Sequence, residues 1–191
     1  MLSDETSHPS AKGLTETPWT LRPIAIDDVD GLHTLANKPE VYRYLFDGSA
    51  PERPFVEHMV KKSLTDMNTN GVGMWVLQKQ LVRYAGAVWV KPDRVTRSAE
   101  LGYLLDPENW GQGLAIRMAW TAIKQAFSTP NIDYVFAGAD RPNTRSFALM
   151  KCLGMRFRKD VTYPLGPGVE YVLHHDDSGP SPSPELLRIC A

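Results

Sequence analysis

The pattern of apolar and polar positions divides the chain into short segments whose period switches between helix and strand. Trp19-Thr20-Leu21-Arg22-Pro23 alternates as a strand does and is closed by proline. Val29, Leu32, Leu35 and Ala36 share one helical face, with Asp27 or Asp28 placed to cap it and Asn37-Lys38-Pro39 placed to end it. Residues 40–46 predict a second short turn or helix, rich in aromatics. Residues 54–67 predict a longer helix, with Phe55, Met59, Val60 and Leu64 on its apolar side. The period then shortens. Residues 73–77, 84–90 and 98–105 read as strands, the first two separated by polar Gln78-Lys79-Gln80. Residues 115–127 return to helical spacing through Ile116, Ala119, Trp120, Ile123 and Phe127. A strand over 134–137, a helix over 143–153 stopped by Gly154, and strands over 155–161 and 169–174 complete the order. The last two strands are joined through the Pro/Gly-rich residues 164–168.

Three consecutive strands argue against a purely parallel doubly wound sheet. They suit an antiparallel meander followed by β-α-β crossovers, hence a mixed α/β fold with helices flanking a mostly antiparallel sheet of about seven strands.

Composition alters this picture little. The 191 residues suit one domain, expected over 19–175 between a polar tail at 1–18 and a Ser/Pro-rich tail at 176–191. A net charge of -1 gives no basic footprint for a nucleic acid. The N-terminus has no apolar core for a signal peptide, and the longest apolar run is too short to span a bilayer. Cys152 and Cys190, the second beside the C-terminus, predict no structural disulfide. The expectation is a cytoplasmic protein without nucleic-acid or membrane partners.

The segment with the most chemistry links the strand ending at Leu105 to the helix beginning near Ala115. Gly111 and Gly113 remove side chains where the backbone turns sharply and a ligand can approach. Amides over residues 111–115 would then converge at a helix N-terminus, where free N–H groups and the helix dipole favour an anion such as a pyrophosphate. A Gly-x-Gly before a helix is more often an ordinary tight turn. This one lacks the Lys-Ser/Thr of a P-loop and the third glycine of a dinucleotide fingerprint. Arg117 either adds a cation to a phosphate or is a solvated surface residue.

Residues 99–115, from Ala99-Glu100-Leu101-Gly102-Tyr103 through Trp110-Gly111-Gln112-Gly113-Leu114-Ala115, resemble the acyl-CoA-binding segment of GCN5-related N-acetyltransferases (the GNAT superfamily). They are most similar to the RimJ/RimL-type branch that acetylates ribosomal-protein N-termini. Asn143-Thr144-Arg145-Ser146, with Leu149, Leu153 and Gly154, resembles that branch's Asn-x-x-Ser helix. Leu21-Arg22-Pro23 and Glu40-Val41-Tyr42-Arg43-Tyr44-Leu45 resemble its opening, and Trp75 and Gly86 fall at familiar strand positions. The matches run in order over about residues 19–160.

The resemblance implies acetyl-CoA as cosubstrate, no metal, and direct attack of a primary amine on the thioester. It implies a bulge in the fourth strand that parts it from the fifth, with the pantetheine arm in the gap. Tyr103, Leu104 and Leu105 would offer backbone groups to that arm, and Gly111, Gln112, Gly113, Leu114 and Ala115 would hold the pyrophosphate. An attacking amine must lose a proton, and Glu100 is the candidate base; the alternative is a strand-face Glu paired with Arg94 or Arg97. An amide near Leu104 is the candidate oxyanion donor. The tyrosine that many relatives use as acid aligns with Met150, which leaves Ser146 as the nearby group, or else as a hydroxyl bonded to the preceding turn. Asn143 binds the coenzyme arm or caps its helix.

The sequence departs from the family at Ile116 and Arg117, where Thr and Glu are usual, at Met155 after Gly154, and at Cys152. His174-His175-Asp176-Asp177 reads as solvated polar residues, and no metal site is expected. The acceptor, a protein N-terminus or a small-molecule amine, would sit between residues 37–46 and the loop joining the last two strands. Asp47 and Glu52 are too few to argue for a polycation. The rival reading is a non-catalytic acyl-CoA sensor or partner module, which keeps Gly111, Gln112 and Gly113 but needs neither Glu100 nor Ser146. A nucleotide-phosphate binder is disfavoured by the missing lysine and metal-binding hydroxyl. A homodimer is left open.

Overall fold

The computed structural model describes residues 19–79 and 83–177, the side chain of Arg83 excepted. Its strands are β1 (Trp19–Pro23), β2 (Met74–Lys79), β3 (Arg83–Asp93), β4 (Ser98–Leu105), β5 (Tyr134–Asp140), β6 (Arg156–Tyr163) and β7 (Gly166–His174). Its helices are α1 (Val29–Ala36), α2 (Pro39–Tyr42), α3 (Arg53–Asn70), α4 (Leu114–Phe127) and α5 (Thr144–Cys152). The strands form one sheet in the order β1-β2-β3-β4-β5-β7-β6. Every neighbouring pair is antiparallel except β4 with β5. The expected mixed sheet is therefore present, with a single parallel crossover through α4. β7 inserts between β5 and β6, because Pro164 and Leu165 alone join β6 to β7 and a hairpin that tight keeps its strands adjacent.

Side-chain alternation separates the two faces of the sheet. Ala99, Leu101 and Leu105 of β4, with Val135, Ala137 and Ala139 of β5, pack against Ile116, Met118, Ala119 and Ile123 of α4. Leu104 and Val76 pack on the other face with Leu32 and Leu35 of α1 and Val56 and Val60 of α3. Each fully buried Ile, Leu or Met contributes about 1.5–3 kcal/mol.

Three local expectations are corrected. α3 buries Val56, Val60 and Ser63, while Phe55 is half-exposed and meets Phe46 edge-on at 5.8 Å. The reason lies at Ser63, whose backbone oxygen comes within 2.7 Å of where a Cβ on Gly73 would stand. Only a small residue allows that approach, so the helix turns the Ser63 face inward. Cys152 is disulfide-bonded, against expectation, and the other cysteine, Cys190, lies outside the described residues. The tails expected at 1–18 and 176–191 also lie outside them, apart from Asp176 and Asp177 in a short 3-10 turn. No helix among the described residues is long and apolar enough to cross a membrane.

The third correction concerns Asp28, which starts α1 without capping it. Its buried carboxylate instead accepts two bonds from Arg22, at 2.6 and 2.7 Å, and one from the Ala25 N–H at 2.7 Å. Burial pushes the Asp28 carboxyl up, but these hydrogen bonds outweigh it and hold the group below its ordinary value. A lowered folded value contributes stability above the ordinary carboxyl pKa of about 4, and that contribution disappears as pH falls through the folded value. Asp28→Asn is expected to flatten the loss of stability in this acid range, measured by urea unfolding at stepped pH. An unchanged slope would remove Asp28 from the account.

Candidate active site

β4 pairs with β3 along its whole length, from Asp93↔Ser98 to Gly86↔Leu105, yet meets β5 only at Ser98, Ala99 and Glu100. β5 continues to Asp140 along β7. Beyond Glu100 and Phe136 the two edges therefore part and leave a wedge between them. The β3–β4 register is unbroken, so the parting comes without the bulge that the family resemblance implied.

Backbone direction decides what lines the wedge. Asp106 donates to Ala85 across the β3 side, and hydrogen-bonded pairs alternate along an antiparallel ladder. Glu100, Gly102 and Leu104 therefore turn their backbone groups to β3, while Leu101, Tyr103 and Leu105 turn theirs toward β5. Leu104 is thus corrected as a backbone contributor to the wedge, and the amide donor sought near it falls to Tyr103 or Leu105. The Leu105 carbonyl is already taken by Trp110, whose Nε1–H donates to it at 2.9 Å. On the opposite edge, Gly138 directs its groups into the same space.

The glycine turn has the expected form. Gly111 and Gly113 lie at φ 73° and 67°, a left-handed region that side chains with a Cβ rarely enter. α4 begins at Leu114 with Gly113 as its N-cap and no side-chain cap. The leading amides at Leu114 and Ala115 therefore have no side-chain acceptor, which fits a diphosphate. Gln112 is exposed, its amide 3.5 Å from the Glu108 carbonyl. Arg117 has a buried Nε with no hydrogen-bond partner. Arg145 of α5 lies 4.2 Å from the Trp110 ring centroid, which adds a cation beside the turn. Lys38 Nζ reaches the buried Asp106 carboxylate at 2.8 Å and ties the turn to the start of α2.

Ser146 and Tyr103 meet across the wedge. The Tyr103 hydroxyl donates to Ser146 Oγ at 2.9 Å, in place of the helix-turn bond considered for Ser146. Burial raises the Tyr103 hydroxyl, so it remains a donor. Asn143 caps α5 by accepting from the Ser146 N–H at 3.3 Å. Met150 is buried in the core.

Glu100 lies on the opposite face from α4. Its side chain is 49% exposed and its partner is Lys91 at 3.8 Å, the residue directly across the ladder. Arg97 and Arg94 bond elsewhere, to Asp133 and Asn70. On the same face Trp89 covers Gly102, where a Cβ would collide with the indole. Tyr163 likewise lies over Gly138 and Gly168. Its hydroxyl is pushed up to about 12, first by burial and then by the charges of Glu170, Glu100 and Asp140. Asp140, also on this face, is buried, and burial raises its carboxyl, with the charge of Asp47 adding to the rise. The rim closes where Gly48 meets Leu165 of the β6–β7 turn, next to Phe46 and Asp47, both left-handed at φ 50° and 56°. Phe46 and Leu165 belong to the two segments, residues 37–46 and the β6–β7 turn, expected to wall an acceptor; Asp47 and Gly48 lie just past the first. A surface hollow of about 370 Å³ between Phe127, Ile132 and His175 lies at the far end of α4 and takes no part.

Sequence reasoning missed Tyr163 and Asp140, because it ended β5 at Ala137 and β6 at Val161. Gly138, Ala139 and Asp140 have weak strand propensity, and pairing with β7, Asp140 opposite Gly168, holds them extended. The Arg145–Trp110 stack carried no signal beyond its place in the two motifs.

Residues 19–156 match the acetyltransferase (GNAT) domain family. The chain therefore belongs to that family and is an N-acetyltransferase, a class whose acyl donor is acetyl-CoA. A spermidine N(1)-acetyltransferase of Escherichia coli (strain K12) is 28% identical over 145 residues, 75% of each chain. Among solved structures, the RimL ribosomal L7/L12 α-N-protein acetyltransferase in complex with coenzyme A superposes with a TM-score of 0.71 at 18% identity, over 83% of this chain and 95% of that one. A Vibrio cholerae spermidine N-acetyltransferase in complex with CoA and spermine gives 0.71 at 18% identity, over 84% and 98%. At these identities the structural likeness is one of fold.

Proposed function

We propose that the chain transfers an acetyl group from acetyl-CoA to a primary amine by direct attack within a ternary complex. The observation that carries this reading is the wedge between β4 and β5, lined by the Tyr103 backbone, opening beside the uncapped start of α4. The amides of Leu114 and Ala115 hold the diphosphate, with Gly111, Gln112 and Gly113 shaping the turn and Arg117 and Arg145 adding charge. The pantetheine arm pairs with Tyr103 and the Leu105 N–H.

The amine arrives on the face that carries Glu100. Glu100 takes its proton, directly or through a water, since a protonated amine has no lone pair to attack with. Nitrogen then bonds to the thioester carbon, and the carbonyl oxygen gains charge beside the Tyr103 N–H. The carbon–sulfur bond breaks. Ser146 gives its hydroxyl proton to the departing sulfur and takes the second proton of the nitrogen in return, leaving a neutral amide and a free thiol, while the Tyr103 hydroxyl holds Ser146 by a hydrogen bond.

Thiol release from acetyl-CoA is the test, using a panel of a peptide N-terminus, monoamines, diamines and an aminoglycoside. Amine-dependent thiol release is expected, with equimolar N-acetyl product. Thermal stabilisation by acetyl-CoA with no thiol release for any amine would replace transfer with a binding module.

A further inference from the structure

Asp140 is 8% exposed and its Oδ1 has no hydrogen-bond partner. A buried acceptor left unpaired costs about 1–3 kcal/mol, and more when charged. Neighbouring carboxylates are matched. Glu170 has Arg158 at 3.0 Å and Lys159 at 3.4 Å, Glu100 has Lys91, and Asp160 has Arg141 at 2.6 Å. Among the described residues no cation pairs with Asp140, nor with Asp47, whose charge acts on it from the α2–α3 connection. Strand parity puts Asp140 on the acceptor face with Glu100, Phe136 and Gly138. It stands four residues past Phe136, where pairing with β4 ends, which is about 13 Å along the strand. Gly138 lies between, and its missing side chain leaves room for the Tyr163 hydroxyl, a polar group on the path from Glu100 to Asp140.

We infer that Asp140, assisted by Asp47, binds a second cationic group on the acceptor, so that the acceptor is a diamine or polyamine. This rests on the acetyl-transfer reading for the identity of the first amine. One ammonium reacts beside Glu100, and the other fills the unpaired carboxylate further along β5. The carboxylate is buried before the acceptor arrives, so its pairing favours a dication over a monocation of equal length.

The test is kcat/KM for diamines of four to ten carbons, each against the monoamine of equal length. At least a roughly tenfold preference for one diamine is expected, falling to about parity in Asp140→Asn. Calorimetry of the same amines on CoA-saturated protein gives a readout independent of turnover. Equal values for diamine and monoamine, or a preference that survives Asp140→Asn, would overturn the subsite and leave only a hydrated carboxylate. Diamine binding that Asp140→Asn abolishes, with no transfer to any amine, would keep the subsite and sink the acetyl-transfer reading. Should Asp140→Asn lose its cooperative thermal transition, Asp47→Asn decides: a fall of about threefold in the preference supports the subsite, and no fall rejects it.

Discussion

Gly113→Val is expected to weaken coenzyme A binding by roughly a hundredfold or more. Gly113 sits at φ 67° immediately before α4. Valine resists that conformation by about 1–2 kcal/mol, and relief comes by rotating the peptide that aims the leading amides. Hydrogen bonds to a charged phosphate contribute about 1.5–3 kcal/mol each, so losing two gives the stated factor. Calorimetry with coenzyme A measures it, and thermal melting separates lost binding from lost folding. A folded variant with parental affinity would mean that the phosphates lie elsewhere.

The second large effect concerns the base. Glu100→Gln keeps the shape and exposure of the side chain but cannot accept the proton of the amine. Turnover is expected to fall by about a hundredfold or more, the usual share of a general base, while acetyl-CoA affinity stays the same. Glu100 is on the face away from α4 and its backbone pairs with β3, so the coenzyme wedge is untouched. Its exposure leaves room for a water to relay the proton, and in either case the rise of rate with pH that a general base gives should disappear. A parental pH–rate profile with parental turnover would exclude Glu100 as the base.

Much of the fold was legible because the local signals agree with one another. β4 ends where Asp106-Pro107 stops it, α4 keeps its apolar stripe, and Gly154 closes α5 at φ 76°. The glycine turn before α4 was legible for the same reason: Gly111 and Gly113 are needed by local backbone geometry. The face that carries Glu100 was less so. Tyr163 and Asp140 fall on strand ends held extended by cross-strand pairing, which no local pattern reveals. Asp47, Glu100, Asp140 and Glu170 are far apart in the chain and share one face through the β4–β5 and β5–β7 pairings and the contact of Gly48 with Leu165. The strand alternation that sends the Leu104 backbone to β3 depends on register, and register is set by the partner strand. Phe55 misled because helical spacing defines a stripe without saying which edge of it meets the sheet.

The central claim is that a thioester arm lies along Tyr103 while its diphosphate rests on the first amides of α4. Titrating the 15N-labelled protein with coenzyme A and following backbone amide shifts tests this most directly. The account predicts saturable shifts at Tyr103, Leu114 and Ala115, with Leu104 moving far less. Shifts confined to other parts of the sheet, or Leu104 moving while Tyr103 stays still, would contradict it.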